Sequence, residues 1–270
     1  MALEYAPHGL LGVLTPQANT TVEPEMALLL PPGMAMLNAR LVSDKPTIVA
    51  RLMDYLRDLP AAAGQFGPAP LGAIAFACTG ASYFAGPAEE DALVARMEDA
   101  RGLPVLTAAR AVRDAFRALG AEKIGLVSPY PDDLTEAAIA YWTARGFQVA
   151  AVSRGAMADK AFHPIYAMDG EGAAAALAAL DGAGLDAVAM LGTGMPTLRP
   201  IAERPFLGRA PVTSCMHALA WRSVAALERR APDAADLLAW VRGEGSSAGW
   251  GDRYRASQAA SAALKAAGAS

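Results

Sequence analysis

The chain's two cysteines, Cys78 and Cys215, are the residues whose type and placement best support chemistry. Cys78 follows the apolar run Ala73-Ile-Ala-Phe-Ala77 and precedes Thr79-Gly80-Ala81-Ser82. Cys215 closes Pro211-Val-Thr-Ser214 and precedes Met216-His217 at the start of an amphipathic stretch. Both therefore fall at the carboxyl end of a predicted strand, where a helix begins. A thiol of ordinary pKa near 8.5 is mostly protonated at neutral pH, and a helix N-terminus is expected to lower it. With one thiol on each face of a planar carbon, a proton leaves one side and arrives on the other. Alternatively, a thiolate on one face adds to a double bond. Cysteine is also among the most buried residue types, so inert core thiols are the competing reading. Two thiols without a His/Cys cluster make neither a disulfide framework nor a zinc site, and no metal is expected.

The loop Thr15-Pro16-Gln17-Ala18-Asn19-Thr20-Thr21 offers three hydroxyls and two amides just before a helix. Neutral donors of this kind hold a carboxylate without a counter-charge. Thr20 and Thr21, ahead of Glu23 and Glu25, equally suit ordinary N-capping, whereas Asn19 lies outside the best cap position and is the better binding candidate. The corresponding loop of the second half is Ser128-Pro129-Tyr130-Pro131, in which two prolines fix the direction of Tyr130. Its phenol either donates to a substrate oxygen or its ring packs on the next helix. His8 and His163 do not stand out. His217, two residues from Cys215 on a helix, points away from it and is not assigned as a base.

These loops need a scaffold, and the chain supplies one by alternation. Short apolar runs at about 9–14, 36–43, 71–77, 103–106, 122–127, 147–153, 186–191 and 210–213 read as strands. Helical spacing of apolar residues marks 45–58, where Ile48, Leu52, Tyr55 and Leu56 share a face, and also 87–100, 109–119, 132–145, 171–181, 216–229 and 232–242. Residues 256–270 form a helix or a frayed tail. The alternation predicts parallel sheets covered by helices. Three collinear segment pairs then reveal an internal repeat. Leu11–Pro16 matches Ile124–Pro129, Ala73–Gly80 matches Ala187–Gly194, and Pro104–Ala108 matches Pro211–Cys215, at offsets of 113, 114 and 107. The fold class is thus α/β, with two similar Rossmann-like domains, each a parallel four-stranded sheet flanked by helices, related by pseudo-twofold symmetry. The expected boundaries are 1–108, completed by C-terminal helices 219–270, and 109–218. Ligands of open α/β sheets bind beyond the carboxyl ends of the strands, so the site belongs between the two copies.

Composition narrows the partners. Of 270 residues, 54% are hydrophobic and 19% charged, enough for one large core or two modest ones. A net charge of −4, a pI near 5.4 and no run of Lys or Arg leave no footprint for nucleic acid or anionic lipid. No apolar stretch approaches the roughly 20 residues of a membrane span, so a cytoplasmic protein is expected. Ala-rich helices fit a homo-oligomer. The fingerprints of dinucleotide-binding, P-loop and serine-hydrolase sites are missing, which leaves cofactor-free chemistry.

Gly12–Pro24, Phe76–Ser82, Val127–Tyr130 and Pro211–Trp221 together resemble the aspartate/glutamate racemase superfamily, in particular its maleate cis-trans isomerase and arylmalonate decarboxylase branch. The likeness runs from about residue 8 to about 230. It implies two facing α/β domains, no cofactor and a small carboxylate substrate. In such isomerases the first-domain cysteine, here Cys78, adds to the double bond, and the second, here Cys215, handles the proton. Asn19 and Tyr130 stand where the family holds carboxylate oxygens, and Thr15, Pro16, Thr79, Gly80, Ser128, Gly194 and Met216 are the further expected substrate contacts. In the racemases the thiols act as opposed acid and base, and the decarboxylases carry glycine at the position of Cys78. Isomerases typically place an amide where this chain has Gly194. That contact is therefore absent or comes from backbone N–H groups or Thr193, and the small residue is expected to enlarge the pocket. The resemblance implies a cofactor-independent isomerase of a small unsaturated dicarboxylate, maleate to fumarate. The alternatives are a racemase or decarboxylase of a 2-substituted malonate or amino acid-like carboxylate, or a non-catalytic carboxylate-binding homologue.

Overall fold

The computed structural model describes residues 3–155, 165–166, 168–244 and 249–268; His163 lies outside them. Strands β1 (Gly9–Pro16), β2 (Met34–Leu41), β3 (Ala73–Phe76) and β4 (Val105–Thr107) form a parallel sheet in the order β2-β1-β3-β4. Strands β5 (Lys123–Ser128), β6 (Gln148–Arg154), β7 (Ala187–Met190) and β9 (Ala210–Ser214) repeat that order as β6-β5-β7-β9. The second sheet carries one strand beyond the expected four, the two-residue β8 (Phe206–Leu207), antiparallel to β9.

Strand β1 is buried from Leu10 to Pro16 without alternation, because a central parallel strand has helices on both faces. The connecting helices are α1 (Val22–Leu29), α2 (Ile48–Arg57), α3 (Leu59–Ala62), α4 (Thr79–Arg101), α5 (Ala108–Ala118), α6 (Asp132–Ala144), α7 (Gly170–Ala178) and α8 (Leu198–Glu203). They are followed by α9 (Cys215–Leu227), α10 (Ala234–Val241) and α11 (Trp250–Gly268). Helix α5 shows the local logic. Thr107 caps it by accepting from Arg110 N at 3.1 Å, and Ala108, Ala111, Val112, Ala115 and Phe116 fall on one buried face. Burying a side chain the size of Phe116 contributes about 2 kcal/mol.

Helix α4 begins eight residues earlier than the pattern from 87 indicates. Pro87 starts a second helical run, and Gly86, at φ 79° and ψ 166°, kinks the join. The first run is small and buried all round through Tyr83, so it has no amphipathic period to read. Residues 250–268 are helical; Trp250 is fully buried, while the final turns stand in solvent. Among the described residues no helix is long and apolar enough to cross a membrane.

Two features bring the halves together. Helix α9 leaves the end of β9 but packs on β1, β3 and β4 of the other sheet, alongside α5. Helices α4 and α6 pack against each other, joined by the buried pair Glu90–Arg145 at 2.9 Å. Glu90 also accepts from Thr107 Oγ1 at 2.5 Å and from the Tyr141 hydroxyl, so this buried charge is fully partnered.

Candidate active site

In each sheet the chain runs from its first strand outward to one side and then returns to the other. The crevice between β1 and β3, and that between β5 and β7, are therefore topological switch points, where ligand sites of α/β proteins open. The two crevices face one cavity of about 230 Å³. Pro16, Gln17 and Ala18 reach it from β1, and Cys78, Thr79 and Gly80 from β3. Tyr130 comes from β5, and Gly192, Thr193 and Gly194 from β7.

Cys78 is the residue before α4, with extended backbone (φ −149°, ψ 109°), so its side chain faces the amides of that helix's first turn. The Gly80 and Ala81 N–H groups favour its thiolate, but burial pushes the thiol up to about 11. Cys215 opens α9 and has no solvent exposure. Burial pushes it up to about 12 against the opposing effect of the Thr79 hydroxyl, the Gly192 amide and the Tyr83 hydroxyl. The amides at the start of α4 act on Cys78 in the expected direction, and desolvation, which raises both thiols, is the larger effect.

Cys215 lies behind the cavity wall, in contact with the wall residues Thr79 and Gly192. Thr79 Oγ1 and Tyr130 Oη are 2.7 Å apart. A line of hydroxyls therefore runs from Tyr130, in the cavity, to Thr79 and on to Cys215. Burial holds the phenols of Tyr83 and Tyr130 well above their ordinary pKa, so Tyr130 is a neutral donor. Tyr83 Oη approaches Cys215 Sγ without closing a full hydrogen bond. Its ring packs against Tyr130, Tyr141 and Trp142 at centroid distances of 6.2, 5.2 and 6.1 Å.

Of the expected contacts, Pro16, Cys78, Thr79, Gly80, Tyr130 and Gly194 line this cavity, whereas Thr15, Asn19, Ser128 and Met216 do not. Thr15 Oγ1 donates to Asn38 Oδ1 at 2.6 Å, and Ser128 Oγ lies 2.7 Å from Thr135 Oγ1, where it shapes the Tyr130 turn. Met216 is buried in the core. In the first loop the capping bonds fall to Asn19 and not to the threonines. Asn19 Oδ1 accepts from the backbone of Thr21 and Val22 at 2.9 and 3.1 Å, so it does the capping. Thr21, free of that task, donates to the Gly194 carbonyl at 2.8 Å. Asn19 Nδ2 donates to Thr193 Oγ1 at 3.2 Å, and Thr193 in turn to the Ala77 carbonyl at 2.8 Å. These bonds stitch the β7 loop to the ends of β1 and β3.

His217 is buried between Thr213 Oγ1 at 3.0 Å and the Trp240 carbonyl at 3.1 Å, and burial lowers it to about 4. It is a neutral core residue. The glycine at 194 does not enlarge the pocket. A Cβ there would stand 2.4 Å from Cδ1 and Cε1 of Tyr166, so that ring already fills the space.

Arg51 and Tyr166 line the cavity without a sequence signal of their own, and Tyr55, legible only as part of an apolar helix face, joins them. Ile48, Arg51, Leu52 and Tyr55 share one face of α2 by their 3- and 4-residue spacing. That spacing was the available signal, but a cavity wall and a core face have the same period.

Two equivalent crevices closing on one cavity, with one thiol in its wall and a second behind it, define an α/β protein whose candidate site is shared by its two halves. The chain belongs to the arylmalonate decarboxylase family, whose model matches residues 11–238. It is 30% identical to the maleate isomerase of Nocardia farcinica over 247 residues, covering 81% of this chain and 90% of that protein. With the maleate isomerase of Geobacillus stearothermophilus it shares 29% identity over 156 residues, 53% of this chain and 62% of the other. A solved structure of the Nocardia farcinica maleate cis-trans isomerase, a cysteine-to-serine variant with a covalently bound succinylcysteine intermediate, aligns at a TM-score of 0.72 and 26% identity. That alignment covers 82% of this chain and 93% of that one.

Proposed function

We propose that this protein is a cofactor-independent cis-trans isomerase of a small unsaturated dicarboxylate, with maleate to fumarate its reaction and Cys78 its nucleophile. The observation that carries the reading is the placement of Cys78 in the cavity wall, before the Gly80 and Ala81 amides, with Cys215 connected to the same cavity through Thr79. A relative whose structure holds a succinylcysteine supports it.

In the reactive form Cys78 has lost its proton to solvent and Cys215 keeps its own. The Cys78 thiolate adds to one alkene carbon, forming the C–S bond. The displaced π pair is delocalised into the adjacent carboxylate, and the other alkene carbon takes a proton from the Thr79 hydroxyl as Cys215 passes its own proton to that hydroxyl. The former double bond, now single, rotates. The proton returns through Thr79 to the Cys215 thiolate, the double bond reforms in the trans geometry, and the C–S electron pair returns to Cys78. Tyr130 is the neutral donor in the cavity, and its hydroxyl turns from Thr79 to the carboxylate that carries the developing charge.

A second reading, proton exchange at the α-carbon of a 2-substituted acid by racemisation or decarboxylation, is favoured by the glycine at 194 and by the family's description. Two free thiols suit a reducing compartment, so the cytoplasm is the proposed location; a homo-oligomer, which the Ala-rich helices fit, is the proposed assembly. Proton NMR in deuterated water, with maleate, an aryl malonate and a 2-aryl acid in separate tubes, tests both readings. Fumarate from maleate, lost in Cys78→Ala, is the expected result. Deuterium at an α-carbon without fumarate moves the function to the second reading, and no change in any tube favours a non-catalytic carboxylate-binding protein.

A further inference from the structure

Arg51 is the single charged residue among the described residues that line the cavity. Its Nη1 donates only to backbone carbonyls, to Lys45 at 3.0 Å and Pro46 at 3.2 Å. It forms no ion pair with any described residue. Those two bonds tie the guanidinium to the segment leading into α2, and no described carboxylate compensates its charge. Tyr55 and Tyr166 each feel both Cys78 and Arg51, so these rings neighbour the thiol as well as the guanidinium. Leu52 packs so close to Gly80 that a Cβ there would meet it at 2.9 Å. Ile48, Tyr55 and Tyr166 continue the surface.

The cavity of about 230 Å³ extends from Cys78 to Arg51, both of which line it. The Tyr130 hydroxyl beside Cys78 is a neutral donor, so it suits the carboxylate next to the reacting carbon. Arg51, which pairs with no described carboxylate, comes from α2 together with Ile48 and Leu52.

We infer that Arg51 and the ring of Tyr166 form a distal subsite, and that the preferred substrate is a cis-unsaturated diacid bearing a short hydrocarbon arm that ends in an anion. This rests on the isomerase reading. The arm packs on Leu52 and Ile48, its terminal anion pairs with the Arg51 guanidinium, and Tyr166 closes the side that a residue larger than glycine at 194 would otherwise take. Arg51 is a specificity residue in this scheme and takes no part in bond making. Its effect belongs in KM.

The test compares 2-(carboxymethyl)maleate, with a charged arm, and 2-ethylmaleate, with an uncharged one, by following their trans products. Wild type is expected to favour the charged arm in kcat/KM. In Arg51→Gln the ratio of the two kcat/KM values should fall at least tenfold, mainly through KM for the charged arm, and Arg51→Lys should restore part of it. An unchanged ratio in Arg51→Gln overturns the subsite. If wild type isomerises neither compound nor maleate, the isomerase reading has failed on its own. The subsite is then decided by calorimetric binding of the same two compounds to Cys78→Ser with and without Arg51→Gln. A tenfold selective loss for the charged arm supports it, and equal affinities overturn it.

Discussion

Thr79 and Tyr130, 51 residues apart and on opposite halves of the chain, share a hydrogen bond of 2.7 Å, and the same Thr79 hydroxyl reaches Cys215. The β3 loop thereby couples a phenol in the cavity to a thiol behind its wall. Helix α9 makes this possible by starting at the end of one sheet and packing on the other.

Removing that hydroxyl tests the coupling. Thr79→Val keeps the shape but leaves Tyr130 Oη and Cys215 Sγ without their shared partner, a loss of about 1–3 kcal/mol for buried polar groups. We expect kcat to fall about 10- to 100-fold and Thr79→Ser to recover most of it. Steady-state kinetics on both variants, with thermal unfolding as the check on folding, decides this; equal loss in the serine variant would point to packing.

The thiols give a pH signature. Burial raises Cys78 to about 11, so its thiolate fraction grows about tenfold per pH unit through neutrality. Alkylation of Cys78 should therefore be slow at pH 7 and about a hundredfold faster at pH 9, still rising where a free thiol has levelled off. Peptide mapping after timed iodoacetamide exposure, against Cys78→Ser, measures it. A rate already flat above pH 7 would mean an acidified thiol.

Glu25 and His217 oppose each other in stability. Glu25 is buried against Thr197 N at 2.5 Å and Leu198 N at 3.2 Å, and burial raises it to about 7. Between about pH 4.5 and 7 the folded state holds a proton that the unfolded state has lost, so this group's contribution falls as pH rises. His217 is lowered to about 4, so between about 4 and 6.5 the unfolded state holds the extra proton and stability rises with pH. The two slopes cancel over most of the shared window. Glu25→Gln should expose the His217 slope, with denaturant stability climbing from pH 4.5 to 6.5, on the order of 1 kcal/mol per pH unit. Wild type should be nearly flat over the same range.

Gly194 and Tyr166 should behave as a pair. A Cβ at 194 stands 2.4 Å from the Tyr166 ring, so Gly194→Ala must displace that ring. We expect a loss of about 1–3 kcal/mol in stability from overpacking. Tyr166→Ala should remove most of that added penalty when the two are combined, which a double-mutant cycle reads directly. Additive losses would mean that the ring does not fill this space.

Much of the architecture was legible because its signals are local. The runs at 9–14 and 186–191 became β1 and β7, and the matched pairs became strands in equivalent places of two sheets with the same order. The glycine-rich, hydroxylated strand ends marked where the cavity opens. Pro87 was legible as a helix start, but the buried turns before it were not, since a helix covered on all sides has no polar face to betray its period.

The sequence by itself determined the α/β repeat, the strand-end position of both cysteines and the family likeness, since these depend on short-range pattern and order along the chain. Tertiary structure decided which of Asn19 and Thr21 caps α1 and which reaches Gly194, that α2 presents Arg51 to the cavity, and that Tyr166 takes the space beside Gly194. It also decided the acidity of the thiols. Desolvation and cross-chain contact depend on what surrounds a group in three dimensions, and residues as far apart as Asn19 and Thr193 or Thr79 and Tyr130 meet only when both sheets are complete.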